Sequence, residues 1–147
     1  MSDKDRILIA DDNQANVELL EAYLAGRDCE IEYAVDGQET LDKVASFKPD
    51  LILLDVMMPK FNGFEVCERV KGDPSTKRIM VLMVTALNEL GDIERAVAAG
   101  TDDFLSKPVQ KLELIKRVDN MLKLKDVSDE VERLRQYIEH MEAEATQ

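Results

Sequence analysis

Leu51-Ile52-Leu53-Leu54 is a run of four aliphatic residues without a polar interruption, and it leads straight into Asp55. A strand wetted on one side alternates apolar and polar residues. A run without alternation instead fits a strand buried on both faces, as in a parallel sheet covered by helices. In an open sheet of that kind, ligands bind at the carboxyl ends of the strands, near the point where the strand order switches. Asp55 stands at such an end, just before Val56-Met57-Met58-Pro59. On this stretch alone a simple loop cap is an equal reading, and the other strand ends have to decide.

The rest of the chain repeats the pattern. Ile7-Leu8-Ile9-Ala10 ends in Asp11-Asp12, Ile79 to Val84 ends at Thr85-Ala86, and the short strand Asp103 to Ser106 precedes Lys107-Pro108. Ile31, Tyr33 and Val35 alternate with Glu30, Glu32 and Asp36, which predicts a half-exposed strand. Helical patterns lie between the strands. Asn13 to Gly26 packs Val17, Leu20, Ala22 and Leu24; Gln38 to Phe47 packs Leu41, Val44, Ala45 and Phe47 and is broken by Pro49; Phe64 to Lys71 follows a turn at Asn62-Gly63. A fourth helix opens at Asn88 or Asp92, packs Ile93, Ala96, Val97 and Ala99, and closes at Gly100. Leu112 to Leu124 turns Leu114, Ile115, Val118, Met121 and Leu122 inward. Strands alternating with helices at this spacing imply right-handed crossovers and a parallel sheet covered on both faces, an α/β doubly wound domain spanning residues 1–124.

Topology brings the strand ends to one edge, so Asp11, Asp12, Asp55, Thr85 and Lys107 can converge. Clustered carboxylates repel one another unless a cation is present. Magnesium fits best, because it takes oxygen ligands, needs only one or two carboxylates and keeps waters for an incoming phosphate. The chain has no EF-hand loop for calcium and no Cys/His set for zinc. Opposite the acids, a lysine and a hydroxyl suit phosphoryl oxygens. A carboxylate held between metal and lysine can act as a nucleophile toward phosphorus, and Asp55, at the end of the most buried strand, is the best candidate.

Asp11-Asp12, Asp55 with Met57-Met58-Pro59 and Gly63, Thr85-Ala86, and Lys107-Pro108, in this order and spacing, resemble the receiver domain of two-component response regulators, over about residues 5 to 124. The resemblance implies a flavodoxin-like fold with five strands in the order 2-1-3-4-5 and five helices. It implies that Asp55 is the phosphoacceptor and that Asp12, Asp55 and the backbone carbonyl of Met57 hold Mg2+, with Asp11 contributing. Thr85 and Lys107 would contact phosphoryl oxygens, Lys107-Pro108 would be a cis peptide, and Phe104 would be a switch aromatic that turns when Thr85 is drawn to the phosphoryl group. The partner implied is a histidine kinase or a histidine phosphotransfer protein, and the protein would assist its own phosphorylation rather than turn over a substrate. Apolar Met57 and Leu87, two residues after Asp55 and Thr85, should hinder an attacking water and slow self-dephosphorylation. The competing readings are a metal-dependent phosphatase with an aspartyl nucleophile and a scaffold that works through its tail. Haloacid-dehalogenase-like phosphatases place a second Asp where Met57 stands, and the intact site argues against the scaffold.

Net charge is -12, from 31 acidic and 19 basic residues. That disfavours direct binding to nucleic acid or to an anionic membrane surface. No apolar run approaches membrane-spanning length and the first residues are polar, so a soluble, cytoplasmic protein is expected. Cys29 and Cys67, far apart and without a CxxC spacing, read as free thiols. Past Leu124, residues 125–147 form a helical extension. Leu124, Val131, Ile138 and Ala145 fall at a and Val127, Leu134 and Met141 at d of a heptad seam continuous with the last helix. A coiled-coil homodimer is the favoured reading, with Glu130 facing Arg135 of the second copy; the alternative is a single helix folded back on its own domain. The extension could also lead to an output domain, but no helix-turn-helix follows it. A dimer through the face of the fourth helix, fifth strand and fifth helix is in doubt, because Asp119 stands where many such relatives carry a basic residue. His140 falls outside the seam with no assigned role.

Overall fold

A computed structural model describes residues 4–87 and 89–145 of the chain. The elements run β1 (Asp5–Ala10), α1 (Gln14–Leu24), β2 (Cys29–Ala34), α2 (Gly37–Phe47), β3 (Leu51–Leu54), α3 (Gly63–Gly72), β4 (Met80–Thr85), α4 (Leu90–Ala98), β5 (Asp103–Ser106) and α5 (Lys111–Ala145). All four strand pairings are parallel and the order is β2-β1-β3-β4-β5. This is the expected flavodoxin-like architecture. The strand order reverses between β1 and β3, and ligand sites form at the carboxyl ends beside such a switch.

The unalternated strands supply both cores. Ile7, Ile9, Leu51, Leu53, Leu82 and Val84 face α1 and α5, against Val17, Leu20, Leu24, Leu114, Val118 and Met121. Their sequence neighbours Leu8, Ala10, Ile52, Leu54, Val81 and Met83 face α2, α3 and α4. Because side chains alternate between faces, a strand with both faces covered must be apolar throughout. β3 is fully buried along its length.

Two elements turn otherwise than their large apolar residues suggest. In β2 the fully buried residue is Ala34 and Ile31 is half-buried, while Tyr33 and, just past the strand, Val35 are exposed. This is an edge strand, and alternation alone does not tell which face the helix covers. In α4, Ala96 and Ala99 are buried, but Ile93 and Val97 stand in solvent. The helix therefore rests on its small residues, which let it approach the sheet. Ala22 and Ala45 are also exposed and Ile115 is only half-buried, whereas the other inward positions named for α1, α2 and α5 are buried or half-buried. The N-cap of α4 is Glu89; Asn88 lies outside the described residues. Gly100 follows α4 with φ 93, a left-handed conformation suited to glycine. Both cysteines are free; Cys67 is buried, and burial pushes its thiol up to about 12.

Candidate phosphoryl and metal site

The site is built on chain ends fixed by the sheet. The amide of Asp55 donates to the carbonyl of Ala10 (2.9 Å), that of Asp11 to Ala34 (3.0 Å), and that of Lys107 to Thr85 (2.9 Å). The backbone ladder thus extends past each strand to the residue that carries chemistry. Below Asp55, the turn is closed by Gly63, whose amide donates to the carbonyl of Val56 (2.9 Å). A Cβ on Gly63 would stand 2.4 Å from the carbonyl oxygen of Asp55, so only glycine allows α3 this close. Asn62 starts α3 with a capping box shared with Glu65, which fixes the loop from its far end.

The structure brings together Asp11, Asp12, Asp55 and Lys107. One carboxylate oxygen from each acid lies within 4.8 Å of the others. Asp11 and Asp55 are buried and Asp12 is exposed, so the cluster opens to solvent on one side. Lys107 Nζ donates to Asp11 Oδ2 at 2.8 Å and to Asp55 Oδ2 at 3.2 Å. Burial alone would lower the pKa of this ammonium. The hydrogen bond to Asp11 and the charges of Asp55 and Asp11 outweigh it, and the pKa lies above its ordinary value. The remaining oxygen of Asp55, Oδ1, accepts only a 3.3 Å contact from the amide of Met57. That oxygen is the one least committed to the protein.

Thr85 is fully buried, and its Oγ1 accepts a 3.4 Å hydrogen bond from the amide of Leu87. Phe104 pairs with Met83 and Ser106 with Thr85. Since residues two apart share a face, the half-buried Phe104 ring is a diagonal neighbour of Thr85, on the side packed against the α2–α4 core. Met57 is 61% exposed beside Asp55. The Lys107-Pro108 peptide is cis.

The acid set fits a hard divalent ion: two buried carboxylates fixed by the sheet, a third at the rim, and an open side for water. Lys107 pairs with two of the three carboxylates, Asp11 and Asp55, and a second positive charge would balance the set. Asp103 is taken up by Arg117 (2.7 Å), and Asp119 pairs with Arg27. Asp102 pairs with Lys71 at 2.6 Å.

A group the sequence reading did not anticipate lies at the opposite edge of the sheet. Lys125 Nζ is 3.4 Å from Asp50 and 2.8 Å from Asp129, and Arg78 is 3.3 Å from Asp129. Of these, only Lys125 and Asp129, four apart on one helix, could have been matched from spacing.

The sequence model described as the response regulator receiver domain matches residues 7–119. The chain is 45% identical over 126 residues to the response regulator PleD of Caulobacter vibrioides, covering 86% of this chain and 28% of that protein. It is 40% identical over 121 residues to RpaA of Synechocystis, described as a DNA-binding dual master transcriptional regulator, covering 82% of this chain and 50% of RpaA. The chain therefore spans from about a quarter to half the length of these relatives. Among solved structures, a response regulator described as putative, from Chloroflexus aurantiacus, superposes with a TM-score of 0.78 at 35% identity, covering 82% of this chain and 99% of that one. No helix among the described residues is long and apolar enough to cross a membrane. With the parallel sheet, the acidic cluster and these similarities in hand, the chain belongs to the response regulator receiver domain family of two-component signalling.

Proposed function

We propose that this domain is a phosphorylation-driven switch in which Asp55 takes a phosphoryl group from a phosphohistidine on a histidine kinase or phosphotransfer protein. The observation that carries the reading is Lys107 Nζ, held between Asp11 and Asp55 in the acid cluster. In the transfer, Asp55 Oδ1 forms the new O–P bond as the donor N–P bond breaks, and the imidazole leaves with its electron pair and takes up a proton. Lys107 leaves its carboxylate partners for the phosphoryl oxygens, and Thr85 Oγ1 exchanges its weak 3.4 Å bond to Leu87 for another. Asp11, Asp12, Asp55 and the carbonyl of Met57 would hold Mg2+, which supplies charge neutralisation for the spread negative charge of the transition state. Phe104 then turns toward the space Thr85 vacates and passes the change to the surface or to the dimer state through the C-terminal helix. The added 1.5 to 2 negative charges, roughly, are enough to bias such an element.

Turnover of phosphomonoesters is the weaker reading, because Met57 occupies the position where a second acid would assist hydrolysis. The two readings separate on stoichiometry. Incubation with phosphoramidate and Mg2+ should load at most one phosphoryl group per chain in the wild type and none in Asp55→Asn. Sustained release of phosphate from p-nitrophenyl phosphate would instead make the protein an enzyme.

A further inference from the structure

We infer that the exposed seam of α5 is a homodimer interface in which two copies pair in parallel and in register from Leu124 to Met141, with the two receivers on opposite outer sides. This deepens the dimer-state part of the proposed function and rests on that reading for its role in signalling.

The first support is the phase of the helix. The inner stripe of α5 buries Leu114, Val118, Met121 and Leu122 in the core. Past the end of the core the same stripe continues as Lys125 and Asp129, which meet Asp50 and Arg78. Lys125 has a side chain only 16% exposed. Asp50 immediately precedes β3 and Arg78 lies two residues before β4. The strands that end on Asp55 and Thr85 therefore clasp the helix at their other ends. At about 100° per residue, the seam lies about 150° around the helix from this stripe. Leu124, Val127, Val131, Leu134, Ile138 and Met141 are accordingly 49–59% exposed and face away from the domain. The helix does not fold back. Ala145, the fourth a position, has no described side chain.

The second support is chemical and selects the occupant. Val131 and Ile138 at a with Leu134 at d is the arrangement that favours two parallel strands. In a parallel pair, Glu130 at g faces Arg135 at e of the second copy, twice by symmetry, and Arg135, exposed and paired along its own helix with Glu132 and Glu139, would be shared with it. An antiparallel pair would set g against g and e against e, leaving Glu130 beside Tyr137 and Arg135 beside Ser128. Upstream, the heptad positions are Glu113, Arg117 and Asn120, and Arg117 is already tied to Asp103 at 2.7 Å. The apolar interface therefore begins at Leu124 and leaves the domain part of α5 outside.

The test uses the full chain carrying Cys29→Ser and Cys67→Ala, with and without Mg2+ and beryllofluoride. Under mild oxidation Leu134→Cys should form a disulfide with its own copy, and Gln136→Cys, on the outer face, should not. Arg135→Glu changes two exposed ion pairs between the copies from attraction to repulsion, besides removing the pairs of Arg135 with Glu132 and Glu139 in its own helix, and should raise the dimer dissociation constant about tenfold in sedimentation. Adding Glu130→Arg should recover the part lost between the copies, since residues five apart do not meet within one helix and this change cannot replace the pairs to Glu132 and Glu139. A monomer under every condition, a crosslink found only between Val131→Cys and Leu134→Cys, or a charge swap without rescue would overturn the parallel pair. Phosphoryl loading measured on the same samples keeps the questions apart. Loading without the crosslink removes only this inference, and the crosslink without loading removes the signalling reading.

Discussion

Replacing Asp12 by asparagine should stabilise the metal-free protein while removing its response to Mg2+. The carboxylate oxygens of Asp11, Asp12 and Asp55 lie within 4.8 Å of one another, and Asp12 is the exposed member. At that separation two unit charges repel by about 0.9 kcal/mol in a water-like dielectric and by about 3.5 kcal/mol at an effective constant of 20. Asp12 feels two such repulsions, and the attraction of Lys107 offsets part of them. The exposure of Asp12 favours the lower end, giving a gain of about 1 kcal/mol for Asp12→Asn at low salt, or roughly 3–4 °C in Tm. Asparagine keeps the shape, and the first turn of α1 is capped by Asn13, so no packing or cap is lost. Screening should erase the gain in 1 M salt, where the Debye length is about 3 Å. With Mg2+ at a hundredfold excess over its Kd, the wild type should gain about 2.7 kcal/mol, and the variant much less. Urea unfolding in chelator and in Mg2+ would then give a crossover, with the variant more stable without the ion and the wild type more stable with it. A variant destabilised in chelator, or an equal Mg2+ increment in both proteins, would refute this account of the acids.

Other expectations follow from single contacts. Gly63→Ala forces a Cβ against the carbonyl of Asp55, so it should cost about 2 kcal/mol in denaturant unfolding and slow phosphoryl loading, because the loop under the acceptor must shift. Met57→Asn should shorten the phosphoryl lifetime several-fold by giving water a hydrogen-bonding partner beside Asp55; an unchanged decay of radiolabel would count against the shielding role of Met57. Lys107 has a raised pKa in the folded state, so its contribution is complete below its ordinary value of 10.5 and is lost as pH rises through the raised one. Urea titrations above pH 10 should show a steeper loss of stability in the wild type than in Lys107→Met.

The strand ends were legible because each is announced locally: an unbroken apolar run stops, and a reactive residue follows. Asp11, Asp55 and Thr85 obey that pattern, Lys107 follows the short mixed strand Asp103–Ser106 and is marked by Pro108, and a parallel sheet then forces all four to one edge. What stayed hidden depends on choices periodicity does not record. The alternation in β2 is real, but the covered side at its end is that of Ala34, since an edge strand is buried only where α2 crosses it. In α4, large Ile93 and Val97 dominate any apolar pattern, whereas the contact is made by Ala96 and Ala99. The clasp at the foot of the sheet joins Asp50, Arg78 and Asp129, and no local pattern links residues so far apart. The same limit applies at the site: Lys107 is nearer to Asp11 than to Asp55, a detail of side-chain reach rather than of spacing.

In the proposed switch Asp55 itself carries the phosphoryl group. The most direct measurement is to load the protein with phosphoramidate in Mg2+, reduce the acyl phosphate with borohydride, and locate the modified residue by tandem mass spectrometry. A single reduced residue is expected, at Asp55, absent when Mg2+ is chelated and much reduced in Lys107→Ala. Modification at another residue, or equal loading without Mg2+, would contradict it.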